Sequence, residues 1–160
     1  MKALTVYQPW ASLIMIGAKP YEFRGWVPPQ KEVGQRHVIH AAKRPIDLAE
    51  VRMLLMRLRS DSDFMLEPCL HRDKAIPFLE RVLSDPTSLP LAHGLGTAVL
   101  GHPKPGHECA REFGVVAGND SDREQHFNWG WPYSDIQPFE PPVPARGAQG
   151  LWTWRGGHAG

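Results

Sequence analysis

Glycine and proline punctuate this chain more than any other feature: fifteen glycines and sixteen prolines fall within 160 residues, well above the ~12% of ordinary usage. Each proline removes a backbone donor and fixes φ, and each glycine eases a turn, so uninterrupted helices are expected to be short and few. A helical bundle is disfavoured on that ground. The length lies near the ~150 residues that serve as a prior for one domain. Hydrophobic residues at 42% and charged residues at 22% suit a chain that closes a real core. Two cysteines, Cys69 and Cys109, are too few for a disulfide scaffold, which fits the cytoplasm. No stretch reaches the ~18 apolar residues of a membrane span, and Gln8-Pro9 interrupts the start before signal-peptide length, so neither membrane nor export is expected.

Between the breaks, the apolar residues keep local periods. Residues 3–7 form a short β-prone segment, and Trp10, Leu13 and Ile14 then recur at helical spacing until Gly17, which is expected to close the helix with positive φ. Tyr21 to Trp26 reads as a strand with Tyr21 and Phe23 on its apolar face and Glu22, Arg24 and Trp26 on the other. Arg36 to Ala42 is a second strand. Asp47 and Glu50 form a capping-box pattern ahead of the Leu48, Val51, Leu55 and Leu58 stripe, predicting a helix to about Arg59. A further helix is expected over about Ala75 to Leu83, with Pro77 in its first turn, and a short helical turn over Glu108 to Phe113. Residues 96–100, 136–140 and 151–154, with Val143, supply the remaining strand pieces. Short strands interleaved with helices, without a regular βαβ rhythm, indicate an α+β fold with a small curved or barrel-like sheet. One domain is expected over residues 1–155, with a flexible glycine-rich tail at 156–160.

The formal charge is only +1, so no global field announces a partner. Residues 17–44, however, hold Lys19, Arg24, Lys31, Arg36, Lys43 and Arg44 against Glu22 and Glu32, a local +4. That is either the footprint of a phosphate-bearing ligand, with Arg36 and Lys43 as phosphate contacts, or a solvated face. Glu22 and Arg24 beside Trp26 can hydrogen-bond a base edge and stack its ring, or can be an exposed ion pair beside a half-buried indole. His40 and Lys43 end the next strand and could close the same pocket, or His40 could be a hydrogen-bonded core histidine. His37 and His40 point to opposite strand faces and cannot chelate together. His102, His107 and Cys109 match no standard zinc spacing, and Asp120, Asp122 and Glu124 lack the glycine of a calcium loop, so no metal is expected. The chain has no phosphate loop, Gly-x-Ser-x-Gly elbow, His-Glu-x-x-His or Cys-x-x-Cys motif.

Gln8-Pro9-Trp10-Ala11, followed by Ile14, Gly17, Lys19, Glu22, Arg24 and Trp26, resembles the signature opening of ASCH domains. Residues 38–43 look like that family's second strand, 96–100 like its central strand and 144–152 like its closing segment. The resemblance implies a PUA-like fold, a small β-barrel flanked by helices. It also implies a cleft for RNA or a modified nucleoside, faced by Lys19, Glu22 and Arg24. One bacterial branch of the family deacetylates acetylated cytidine with a Lys, a Thr three residues later and a distant Glu; here Glu22 stands in the place of that Thr. The leading expectation is therefore a binding module whose ligand meets Arg24, Trp26, His40 and Lys43. The alternative is a hydrolase, an amidohydrolase or ribonuclease, with Lys19 as base and Glu22 relaying the proton. No cofactor is implied.

Overall fold

The computed structural model describes residues 1–60, 69–114 and 129–156. Its seven strands are β1 (Lys2–Val6), β2 (Tyr21–Arg24), β3 (Arg36–Ala41), β4 (His93–Leu100), β5 (Lys104–Pro105), β6 (Trp129–Pro144) and β7 (Leu151–Thr153). They form one mixed sheet in the order β2-β6-β4-β3-β1-β7, with β5 also on β6. β1 and β3 run parallel, Leu4 opposite Ile39 and Val6 opposite Ala41, while the other pairs are antiparallel. A parallel pair needs a crossover, and residues 7–35 supply it.

The sheet curls into a half-barrel. Register shifts interrupt the β3–β4 pairing at Ile39/His40 and the β4–β6 pairing at Gly94/Gly96 and Thr97/Val99, and such bulges sharpen local twist. The roll brings β2 back toward β1, four places away in the sheet: the Arg24 guanidinium donates to the Thr5 carbonyl at 2.9 Å. This is the α+β, PUA-like small barrel with flanking helices that the sequence indicates.

The helices are α1 (Trp10–Met15), α2 (Leu48–Arg59), α3 (Arg72–Ser84) and α4 (Gly106–Glu112). α1 joins two cores. Ala11 and Ile14 pack with Leu4, Val6, Ile39, Leu100, Trp131 and Tyr133 inside the roll, whereas Leu13 meets Val51, Leu55, Leu58, Leu79 and Val82 of the α2–α3 pair. Gly17 ends the α1 turn at φ +76, the left-handed conformation expected of it.

Four local expectations are corrected. α3 begins at Arg72, so Pro77 lies in its second turn; the burial of Ala75, Phe78, Leu79 and Val82 offsets the missing N–H. Asp47 caps Ala49 and Glu50, but the Glu50 carboxylate accepts from the Trp10 indole at 3.0 Å. The pieces at 136–140 and Val143 belong to the 16-residue β6, whose prolines are accommodated by the irregular pairing. β2 stops at Arg24, leaving Trp26 just beyond the strand. Asp120, Asp122 and Glu124, and residues 157–160 of the expected tail, lie outside the described residues. No helix among the described residues is long and apolar enough to cross a membrane.

Candidate functional site

Directly paired residues of an antiparallel ladder share a face. Glu22 stands opposite Trp131, and Arg24 opposite Trp129, on β6. Trp131 is fully buried in the main core, so this face of β2 looks into the roll. Tyr21 and Phe23 take the other face, in a small cluster with Cys69 and Cys109. Both faces are therefore covered, and Glu22 does not lie on a solvent face as the alternation alone would have it.

Lys19, Glu22 and Arg24 meet there. The Glu22 carboxylate lies 3.7 Å from Lys19 Nζ and 3.1 Å from Arg24 Nη2, and accepts from Arg24 Nε at 3.1 Å. The Lys19 side chain is 1% exposed and that of Glu22 10%. Lys19 Nζ also sits 5.4 Å from the Trp10 ring centroid and 5.1 Å from that of Phe23, within cation–π range. Trp10 is oriented in turn by Glu50. Trp26 closes the neighbouring side: its carbonyl accepts from the Trp131 indole at 3.0 Å, and its ring meets the Trp131 ring edge-on at 4.6 Å between centroids.

Further in, Tyr133 lies close enough to Glu22 for that charge to add to burial in pushing its phenol pKa up. Its hydroxyl bonds His37 Nδ1 at 3.0 Å, and His37 Nε2 meets Glu32 at 3.0 Å. Burial pushes His37 below the ordinary histidine range. A neutral ring then donates from Nε2 to the carboxylate and accepts the tyrosine proton at Nδ1.

His40 belongs to a different environment. Its Nε2 donates to the Ala145 carbonyl at 2.8 Å, its Nδ1 meets the Thr5 hydroxyl at 3.2 Å, and the Trp152 indole donates to that hydroxyl at 3.0 Å. Gly147 passes so close that a Cβ there would strike the His40 ring and the Thr5 hydroxyl. Burial lowers the His40 pKa, and a neutral tautomer satisfies every partner. It connects to Arg24 through Thr5, whose carbonyl holds the guanidinium and whose hydroxyl holds the imidazole. Lys43 is exposed, just past the end of β3.

The basic segment is split between the two poles of the parallel pair. Lys43 and Arg44 follow the C-terminal end of β3, the end at which Arg24 reaches Thr5. Lys31 and Arg36, with Lys2, line a depression of about 370 Å³ at the N-terminal ends. Arg36 is held there by Thr97, the Asp135 carbonyl and the Asp135 carboxylate. A second depression of about 520 Å³ lies between α2 and α3, lined by Arg52, Leu55, Met56, Arg59, Ser60 and Leu83. Neither coincides with the Lys19–Glu22–Arg24 cluster, which is close-packed beneath its rim. The chemistry of the buried carboxylate between two cations, rather than cavity size, marks the site. Among the described residues no group of three or more His, Cys, Asp or Glu side chains could hold a metal ion.

Sequence reasoning about the site omits Thr5, Phe23, Glu50, Trp131 and Tyr133. Trp10 is visible as part of the Gln-Pro-Trp-Ala opening, but its place over the ammonium follows from where α1 packs.

A curled mixed sheet with flanking helices is the architecture of a PUA-like domain. The ASCH domain profile matches residues 4–84, and the chain belongs to the ASCH domain family. The match takes in β1 to α3; β4 to β7, which complete the roll, lie beyond it. No curated protein matches the chain.

Proposed function

We propose that the protein binds RNA or a modified nucleoside at the mouth of the half-barrel, above Lys19, Glu22 and Arg24. The observation that carries this reading is the buried Glu22 carboxylate held between two cations on the face of β2 it shares with Trp131, with the Trp10 and Phe23 rings packed about the Lys19 ammonium. A preorganised guanidinium and carboxylate offer donors and acceptors to a base edge, and the exposed Trp26 indole offers a stacking surface. Lys19 is closed over, so Arg24 and Trp26 are the members that meet the ligand, with Lys43, past the end of β3 at which Arg24 reaches Thr5, as the phosphate contact. Membership of the ASCH family points the same way, to RNA binding. Glu22 is engaged in holding both cations, which favours recognition over proton transfer. The hydrolase reading, with Lys19 as base, is the second arm of the test. Cytoplasmic residence is part of this reading and rests on two buried, unbridged thiols.

The test is a titration of the protein with short single-stranded RNA at low and high salt, together with incubation with acetylated cytidine followed by chromatography. Binding that weakens as salt rises and is lost in Arg24→Ala is expected, with a smaller loss in Lys43→Ala. Turnover lost in Lys19→Ala with binding retained would move the protein to the hydrolase class. Absence of both binding and turnover would overturn the proposal.

A further inference from the structure

The segment from Thr5 to Trp10, which leads from β1 into α1, is pinned to the candidate site at both ends. At one end Arg24 holds the Thr5 carbonyl at 2.9 Å; at the other the Trp10 ring lies 5.4 Å from Lys19 Nζ. Tyr7 stands between them, at the end of β1, with its carbonyl accepting the Ala11 N–H at 3.1 Å. Its backbone is thus fixed, and the residue is 53% exposed. The Arg44 guanidinium carbon lies 4.7 Å from the ring centroid, and Lys43 is exposed beside it. Trp26, which follows Arg24 by two residues, is 40% exposed and leans on Trp131.

We infer that Tyr7 and Arg44 form a second subsite on the rim, where a base flanking the one in the mouth stacks on the phenol ring and its phosphate meets Arg44 and Lys43. This rests on the reading of the mouth as a nucleobase site and deepens it: the ligand is a base within a single strand rather than a free nucleoside. Three features support that occupant. Aromatic faces stack any base, a guanidinium beside the ring adds both stacking and charge, and two adjacent cations complement a phosphodiester. A duplex would not serve, because its bases are already stacked on one another.

Tyr7→Ala, Tyr7→Phe, Arg44→Ala and Arg24→Ala would be titrated with two probes, a short oligouridylate and uridine monophosphate. Tyr7 is exposed, so Tyr7→Ala should keep the wild-type circular dichroism and melting temperature. The expected result is an oligouridylate affinity roughly tenfold weaker in Tyr7→Ala, near wild type in Tyr7→Phe, and less salt-dependent in Arg44→Ala. Uridine monophosphate affinity should be unchanged in all three, whereas Arg24→Ala weakens both probes. Equal losses for the two probes in Tyr7→Ala, or no loss for either while Arg24→Ala still weakens both, would overturn the rim subsite and leave the mouth reading standing. A wild-type protein that binds neither probe would overturn both.

Discussion

A lysine–glutamate pair lies against each face of β2, and the two obey different physics. Toward the roll, Lys19 and Glu22 are 3.7 Å apart with side chains 1% and 10% exposed. On the opposite face, Lys104 and Glu112 are 2.6 Å apart with side chains 41% and 44% exposed, and both bond the Tyr21 hydroxyl. These contacts hold the Glu112 carboxyl below its ordinary range and the Lys104 amine above its own. The shorter pair is nevertheless the weaker determinant of the structure, since water screens it and two flexible side chains must be ordered to make it. The longer pair has been taken out of water, so its members depend on each other and on the aromatic walls. Distance measures contact; burial decides consequence. The same rule separates the buried candidate site from a clamp that fastens α4 to the sheet.

The strongest way to break this contrast is to remove Glu22. Glu22→Ala takes a counter-charge from the buried ammonium and from Arg24, and should cost about 3 kcal/mol or more of stability. Ligand binding should vanish with it. Urea unfolding checks the first and RNA titration the second; a cost below that of the exposed pair would reverse the ranking.

Gly17→Val acts on the turn that delivers Lys19. The position has φ +76, and a Cβ would meet Lys74 Nζ at 3.2 Å. A β-branched residue there should lose roughly 1–3 kcal/mol and displace Lys19 from Glu22. An unchanged melting temperature would show that the turn relaxes without strain.

The buried histidines sharpen the comparison from the neutral side. Burial pushes both His37 and His40 down, so below the unfolded value of about 6.5 the unfolded chain binds more protons than the folded one. Their contribution is full above about pH 6.5 and is lost as pH falls toward the folded values, at up to ~1.4 kcal/mol per pH unit for each ring. Unfolding free energies measured from neutral pH down to about 5 should decline over that range, and His40→Asn should flatten the decline. A constant stability across the window would mean that the rings charge in place.

Lys104→Ala should show the smallest effect. The pair is solvent-screened, and its loss should cost under about 1 kcal/mol, with RNA affinity unchanged. Cys109, beneath it, has its thiol pushed up to about 11, chiefly by burial and then by Glu112, so it should resist alkylation in the folded protein.

The elements that could be read along the chain are those whose signal is local. The strand at Tyr21, the Asp47 cap, the Gly17 turn and the helix ending at Arg59 each depend on residues within a few positions of one another. β6 could not be read as one strand, because its prolines argue against a paired strand and only bulged pairing with β4 accommodates them. For the site, the Gly17-to-Arg24 segment placed Lys19, Glu22 and Arg24 close in sequence, and the structure brings their charged ends together. It does not bring His40 or Lys43 into that cluster: His40 is spent on Thr5 and Ala145, and Lys43 stays in solvent.

What the sequence determined by itself was therefore the set of short-range facts: where the chain turns, which residues alternate, and that one short segment concentrates charge. Which face of β2 is inside was decided by tertiary structure, because alternation specifies two faces without saying what will cover either. Trp131, 109 residues beyond Glu22 in the chain, covers one; Cys109 and Phe113 cover the other. Burial is a property of what arrives from elsewhere, and here it is burial that sets this Lys, Glu and Arg apart as a candidate site.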